Sequence, residues 1–226
     1  MIGIFDSGVG GICAYRQVRK MLPYEDLIYL ADRKNAPYGT KSEDEIVALT
    51  KNNIKQLKNM GVRAILIACC SASSLHHRLT NEERVLSTPI ITPAAEEAAR
   101  IGRKITVIAT EHTARSKAFS REIAKLSDAT VTEMAEQRLV ALVERGNRDG
   151  RIDVECERYL TDLVKRIRMA KSDTLILGCT HFSHLEQELG RLLPEVKIIS
   201  PARVGAIQIV KKIDPSHKES GRDVYI

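Results

Sequence analysis

Two cysteines, more than a hundred residues apart, each close a strand-like apolar run and open a helix-like one. Cys69 ends the run in Ala64-Ile65-Leu66-Ile67-Ala68-Cys69-Cys70-Ser71, and Cys179 ends it in Thr174-Leu175-Ile176-Leu177-Gly178-Cys179-Thr180-His181. A thiol at such a junction faces unpaired backbone N–H groups, which favour the thiolate and are expected to lower its pKa from about 8.5. Two such thiols on opposite walls of a pocket would supply one acid and one base. His181, two residues past Cys179, is placed to exchange a proton with that thiol or with a substrate.

The elements that must position these groups repeat along the whole chain. Strand-like runs are expected at 2–5, 26–31, 63–68, 89–92, 104–109, 130–134, 174–178 and 196–199, with helix patterns at 12–21, 42–60, 72–84, 94–101, 112–126, 138–145, 153–170 and 182–193. This rhythm predicts an α/β fold of largely parallel sheets flanked by helices. Ser42 and Glu45 form a capping-box pattern, and Pro37-Tyr38-Gly39-Thr40 before it reads as a turn. The pattern restarts near Ser87-Thr88-Pro89, where Ile4-Phe5-Asp6-Ser7-Gly8 is echoed by Ile108-Ala109-Thr110-Glu111-His112, as Cys69 is by Cys179. Two pseudosymmetric lobes facing across a cleft are therefore expected. Ligands of parallel sheets bind beyond the carboxyl ends of strands. Asp6, Ser7, Asp32, Cys69, Cys70, Ser71, Thr110, Cys179, Thr180 and His181 all fall there.

Composition narrows the classes. The 226 residues carry 35 basic and 29 acidic side chains, a dispersed surplus of +6, and 4% aromatics. That offers no base-stacking platform for nucleic acid. No apolar run approaches the ~18 residues of a membrane span, and no secretory leader pattern opens the chain. Five cysteines without a scaffold's regular spacing predict reduced thiols in the cytoplasm. Asp6-Ser7-Gly8-Val9-Gly10-Gly11 with Asp32 further on superficially suggests a dinucleotide site, but Cys13 holds the third glycine position and Asp6 would face the pyrophosphate. The glycines are read instead as allowing a small ligand close to the backbone. Zinc on Cys69, Cys70, Cys179 and His181 is disfavoured, since paired CxxC and HExxH motifs are absent and adjacent cysteines share an ion poorly. Cys13 and Cys156 lie within helix patterns as small apolar residues. His76, His77, His112, His184 and His217 are read as surface residues, and Glu144 as open to being only the exposed edge of its helix.

Together these segments resemble the Asp/Glu racemase superfamily, and within it the glutamate racemases. The likeness is carried in order by Gly3-Ile4-Phe5-Asp6-Ser7-Gly8-Val9-Gly10-Gly11, Tyr29-Leu30-Ala31-Asp32 with Pro37-Tyr38-Gly39-Thr40, Ala68-Cys69-Cys70-Ser71-Ala72-Ser73, Leu142-Val143-Glu144-Arg145-Gly146 and Leu177-Gly178-Cys179-Thr180-His181. The resemblance implies cofactor-independent, metal-free racemisation of glutamate between two thiols, supplying D-glutamate for peptidoglycan in a cytoplasmic homodimer. It further implies that Asp6 assists Cys69, that His181 and Glu144 assist Cys179, and that Ser7, Pro37, Tyr38, Gly39, Cys70, Ser71, Thr110 and Thr180 hold the substrate. The chain after about Pro201 would return to the first lobe, giving 1–91 plus 202–226 and 92–201. Cys70 departs from the family's Asn, an exchange of a carboxamide for a weak hydrogen-bonding thiol worth on the order of 1.5–3 kcal/mol. The segment before Glu144 also lacks the family's Cys-Pro. Racemisation of another amino acid, or amino-acid binding without turnover, is the competing expectation.

Overall fold

Both faces of the central strands are apolar, so each sheet needs cover on both sides. The computed structural model describes residues 1–146, 153–213 and 220–226. Its strands are β1 (Ile2–Asp6), β2 (Leu27–Ala31), β3 (Ala64–Ile67), β4 (Ser87–Pro89), β5 (Lys104–Ala109), β6 (Thr130–Ala135), β7 (Thr174–Gly178), β8 (Lys197–Ile199) and β9 (Asp223–Tyr225). They form two parallel sheets, ordered β4-β3-β1-β2-β9 and β6-β5-β7-β8. The covering helices are α1 (Ile12–Met21), α2 (Glu43–Asn59), α3 (Cys70–Ser73), α4 (Asn81–Leu86), α5 (Ile91–Ile101), α6 (Glu111–Ser116), α7 (Ala118–Ala124), α8 (Gln137–Gly146), α9 (Val154–Met169), α10 (Glu186–Leu192) and α11 (Pro201–Lys211). Among the described residues no helix is long and apolar enough to cross a membrane.

The alternation of strand side chains sorts the core. Ile2, Ile4 and Leu66 from the first sheet share one buried cluster with Ile105, Val107 and Ile176 from the second, joined through α1, α5, α7 and α11. Phe5, Ile65 and Ile67 point the other way, under α2. Ile108, Leu175 and Leu177 pack beneath α8 and α9. Each such residue contributes about 1.5–3 kcal/mol through burial.

The echo between the two halves is structural as well. β3 pairs with β1 as β7 pairs with β5, Ile67 lying opposite Phe5 and Gly178 opposite Ala109. Both thiols thus leave equivalent strands at the same end of their sheets.

Several elements differ from the sequence pattern. The helix expected over 72–84 is broken into α3, a 3-10 turn at His76–Arg78, and α4, which starts afresh from a Thr80–Glu83 capping box. The strand expected at 89–92 sits at 87–89 instead. Helix α5 begins at Ile91, and Pro93 falls in its first turn, where its missing N–H leaves no bond unmade. The stretch expected as one helix at 112–126 is split into α6 and α7 at Lys117, which adopts φ +53°. The region of 182–193 opens as a 3-10 turn, Thr180–Leu185, before α10. Neither α11 nor β9 is evident from periodicity. β9 is held by Asp26, which accepts from the Arg222 backbone N–H (2.8 Å) and guanidinium (2.8 and 3.1 Å).

Candidate active site

Cys69 follows β3 as the residue capping α3, and Cys179 follows β7 as the residue capping the Thr180–Leu185 turn. Each is 5% exposed. They line one small cavity together with Ser7, Pro37, Tyr38, Gly39, Cys70, Ser71, Thr110, Thr180 and His181. The strand ends converge there because both sheets turn their carboxyl ends toward the same gap. The remaining space is about 20 Å³, room for about one water and far too little for an amino acid.

The two thiols have different surroundings. Cys69 Sγ lies 3.6 Å from Ser7 Oγ. Its pKa is not lowered as the strand-to-helix position predicts but pushed up to about 12. Burial is the main cause and the charge of Asp6 the next, together outweighing the Ala72 N–H and the Ser7 hydroxyl. A four-residue helix sums few peptide dipoles, so its N-terminus is a weak counterweight. Cys179 Sγ lies 3.7 Å from His181 Nδ1, and His181 Nε2 lies 2.9 Å from Glu144 Oε1. Burial disfavours the His181 cation, but contact with Cys179 and the Glu144 carboxylate outweighs it and holds the imidazole above its usual range. The Glu144 carboxyl is lowered, chiefly by its bond to His181. Its side chain is 54% exposed and does not line the cavity, touching it only through His181.

Hydroxyl groups of Ser7, Ser71, Thr110 and Thr180 complete the wall, and the fully buried Asp6 carboxylate lies behind it. Asp6 Oδ2 accepts from the Gly8 N–H at 3.0 Å and Oδ1 from the Thr180 hydroxyl at 3.2 Å. The carboxylate therefore occupies the loop N–H that a phosphate would need. Ser71 Oγ lies 3.1 Å from Thr110 Oγ1, which is 2.9 Å from Thr113 Oγ1. The Tyr38 hydroxyl donates to Asp32 and accepts from Asn53 Nδ2 at 3.0 Å, so Asp32 positions the turn that carries Pro37 and Gly39. The glycine run divides in its surroundings, a Cβ on Gly8 meeting nothing within 4 Å while Gly10 is crowded. A Cβ on Gly10 would lie 2.5 Å from Thr180 Oγ1 and 2.9 Å from His181 Nδ1, so the opposite lobe, rather than a ligand, needs that space.

The histidine reading needs correction. His112 is 1% exposed because α6 packs against α3 behind the cavity, its Nε2 3.1 Å from Ser74 Oγ and its Nδ1 without a partner among the described residues. His76 is half-buried against Ser87 Oγ at 3.1 Å, and burial pushes its pKa down to about 4. His184 packs 3.8 Å from the sulfur of Cys13, which is partly exposed, whereas Cys156 is buried as expected. His77 is exposed, and His217 lies outside the described residues. Gln137 and Val140 from α8 also line the cavity; the apolar periodicity of α8 places Val140 on its inner face, but nothing in the pattern marks Gln137. Among the described residues no group of three or more His, Cys, Asp or Glu side chains is arranged to hold a metal ion.

Residues 14–209 match the family described as Asp/Glu/Hydantoin racemase. A glutamate racemase of Gloeobacter violaceus is 36% identical over 96% of this chain and 82% of its own. One of Persephonella marina is 34% identical over 100% of this chain and 87% of its own. Among solved structures, glutamate racemase from Francisella tularensis in complex with D-glutamate superimposes with a TM-score of 0.85 at 26% identity, over 99% of this chain and 86% of that one.

Proposed function

This chain belongs to the Asp/Glu/Hydantoin racemase family, and we propose that it interconverts L- and D-glutamate by proton transfer between Cys69 and Cys179. The observation that carries the proposal is two thiols entering one closed cavity from equivalent strand ends, each with its own proton-handling neighbours.

In one direction the Cys69 thiolate takes the α-proton, and the Cys179 thiol returns a proton to the opposite face. In the other direction the roles reverse. Proton count and charge balance over each turnover, since one thiol is charged as the other is discharged. The raised Cys69 pKa makes the neutral thiol its resting form. A substrate ammonium beside Asp6 cancels part of the charge responsible, so binding itself promotes the thiolate. His181, backed by Glu144, plays the corresponding part for Cys179. With no electron sink, the carbanion is stabilised by fixed donors in a cleft that excludes water. Ser7, Tyr38, Gly39, Ser71, Thr110 and Thr180 are the groups around it that hold carboxylates and ammonium, with Pro37 and Cys70 shaping the wall.

We divide the lobes at 1–91 plus 202–226 and 92–201, in keeping with the strands each sheet contains. The same reading makes the protein a cytoplasmic homodimer whose D-glutamate enters peptidoglycan. Cys70, where the family has Asn, favours a second reading: racemisation of another amino acid, or binding without turnover. Incubation of the purified protein with L- and D-glutamate and with D/L-aspartate in deuterated water separates them. Loss of optical rotation with α-deuteration of glutamate is expected. Binding with neither change would leave an amino-acid-binding protein.

A further inference from the structure

We propose that Gln137 determines specificity in this cleft, supplying from the second lobe the carboxamide that position 70 lacks and donating through Nε2 to a carboxylate oxygen of the substrate. The proposal rests on the racemase reading above.

Gln137 is the first residue of α8, and among the described residues its side chain is the one carboxamide lining the cavity. Its Oε1 accepts the Glu111 backbone N–H at 3.3 Å. An N–H donates only to the oxygen of an amide, so this bond fixes which way the group faces. Nε2, with no partner among the described residues, keeps both of its hydrogens available. The amide also presses on the opposite lobe: a Cβ on Gly39 would sit 2.9 Å from Gln137 Oε1. It therefore spans the gap between the Tyr38–Gly39 turn and α6, on the wall of the cavity.

The backbone beneath it is fixed. Neighbouring Glu136 is buried, donates its N–H to Ala109 O at 2.8 Å, and holds Arg166 through bonds of 2.6 and 3.1 Å. A group anchored in this way loses little freedom on binding substrate. Cys70, in the same cavity and 3% exposed, brings only a thiol, a poor donor to a carboxylate.

The test is a double-mutant cycle of the wild type, Gln137→Ala, Cys70→Asn and the double variant, read by KM and kcat for both glutamate enantiomers and by calorimetric binding of D-glutamate. Gln137→Ala is expected to weaken binding and raise KM about ten-fold or more, the loss of one hydrogen bond to a charged group. In the Cys70→Asn background the same truncation should cost less than about three-fold, because an amide is again present. Equal losses in both backgrounds would reduce Gln137 to a cap for the Glu111 N–H, and no loss in either would remove it from recognition; both overturn the proposal. Gln137→Glu keeps the acceptor for Glu111 and turns a negative oxygen on the substrate. It should bind more weakly than Gln137→Ala, and wild-type binding by this variant would also overturn the proposal, even if the alanine variant fails to fold. Should none of the proteins turn glutamate over while calorimetry gives the expected cycle, the racemase reading falls and the Gln137 assignment stands. Turnover with a flat cycle gives the reverse, and absence of binding throughout defeats both.

Discussion

Thr180 and Asp6 meet across the cleft, the hydroxyl of one donating to the carboxylate of the other at 3.2 Å although 174 positions separate them in the chain. Asp6 is also the second cause, after burial, of the raised Cys69 pKa. One carboxylate thus links closure of the lobes to the charge state of a thiol.

Asp6→Asn removes the charge but keeps an acceptor for Thr180. The pH midpoint for alkylation of Cys69, followed by mass spectrometry of its peptide, should fall by about one unit. Burial remains, so the midpoint should stay above that of a free thiol. An unchanged or higher midpoint would take Asp6 out of the control of Cys69.

Glu144→Gln tests the other wall. The Glu144 carboxylate helps hold His181 above its ordinary value, so its loss lowers that value. The stabilisation from this pair is complete below the unfolded imidazole value of 6.5 and fades as pH rises through the folded one. The alkaline limb of kcat/KM, in the direction where Cys179 is the acid, should move to lower pH by about one unit. A limb that stays in place shows that Glu144 is only a helix edge.

The thiol motifs and strand ends were legible because each carries a short apolar run ending in polar residues, a local pattern. Of the strand-end residues named from that pattern, all but Asp6 and Asp32 line the cavity, and those two carboxylates stand behind it, bonded to Thr180 and Tyr38. What escaped depends on tertiary contact. The burial of His112 comes from α6 packing on α3, and Gln137 enters the site only because Glu111 and Gly39 are close in space. Helix 72–84 was misread because its apolar spacing continues through the Thr80–Glu83 capping box, which starts a new helix. β9 has three residues, all exposed, so no alternation marks it. Likewise, Cys69 is not acidic because the single turn of α3 sums few peptide dipoles and burial outweighs them, and burial is not written in a local pattern.

Attachment of β9 should be acid-sensitive. Asp26 is held at about 2 by the backbone N–H of Arg222, then by its guanidinium and the Ser220 hydroxyl, against 3.8 for the free group. The folded value is the lower one, so the stabilisation is complete above 3.8 and disappears as pH falls through about 2. Asp26→Asn should cost about 1–2 kcal/mol at pH 7, discounted for the solvent around exposed Arg222. In thermal melts, the gap in Tm between variant and wild type should close between pH 4 and pH 2. A gap independent of pH would mean that the loss is one of packing.

The central claim is that Cys69 and Cys179 serve opposite faces of one substrate, and single alanine variants in deuterated water test it directly. Each should lose racemisation without unfolding, and each should still exchange the α-proton of one enantiomer through the thiolate it retains. The account predicts a mirror pattern, with Cys69→Ala and Cys179→Ala preferring opposite hands. Near-normal racemisation by either variant, or the same hand preferred by both, would contradict it.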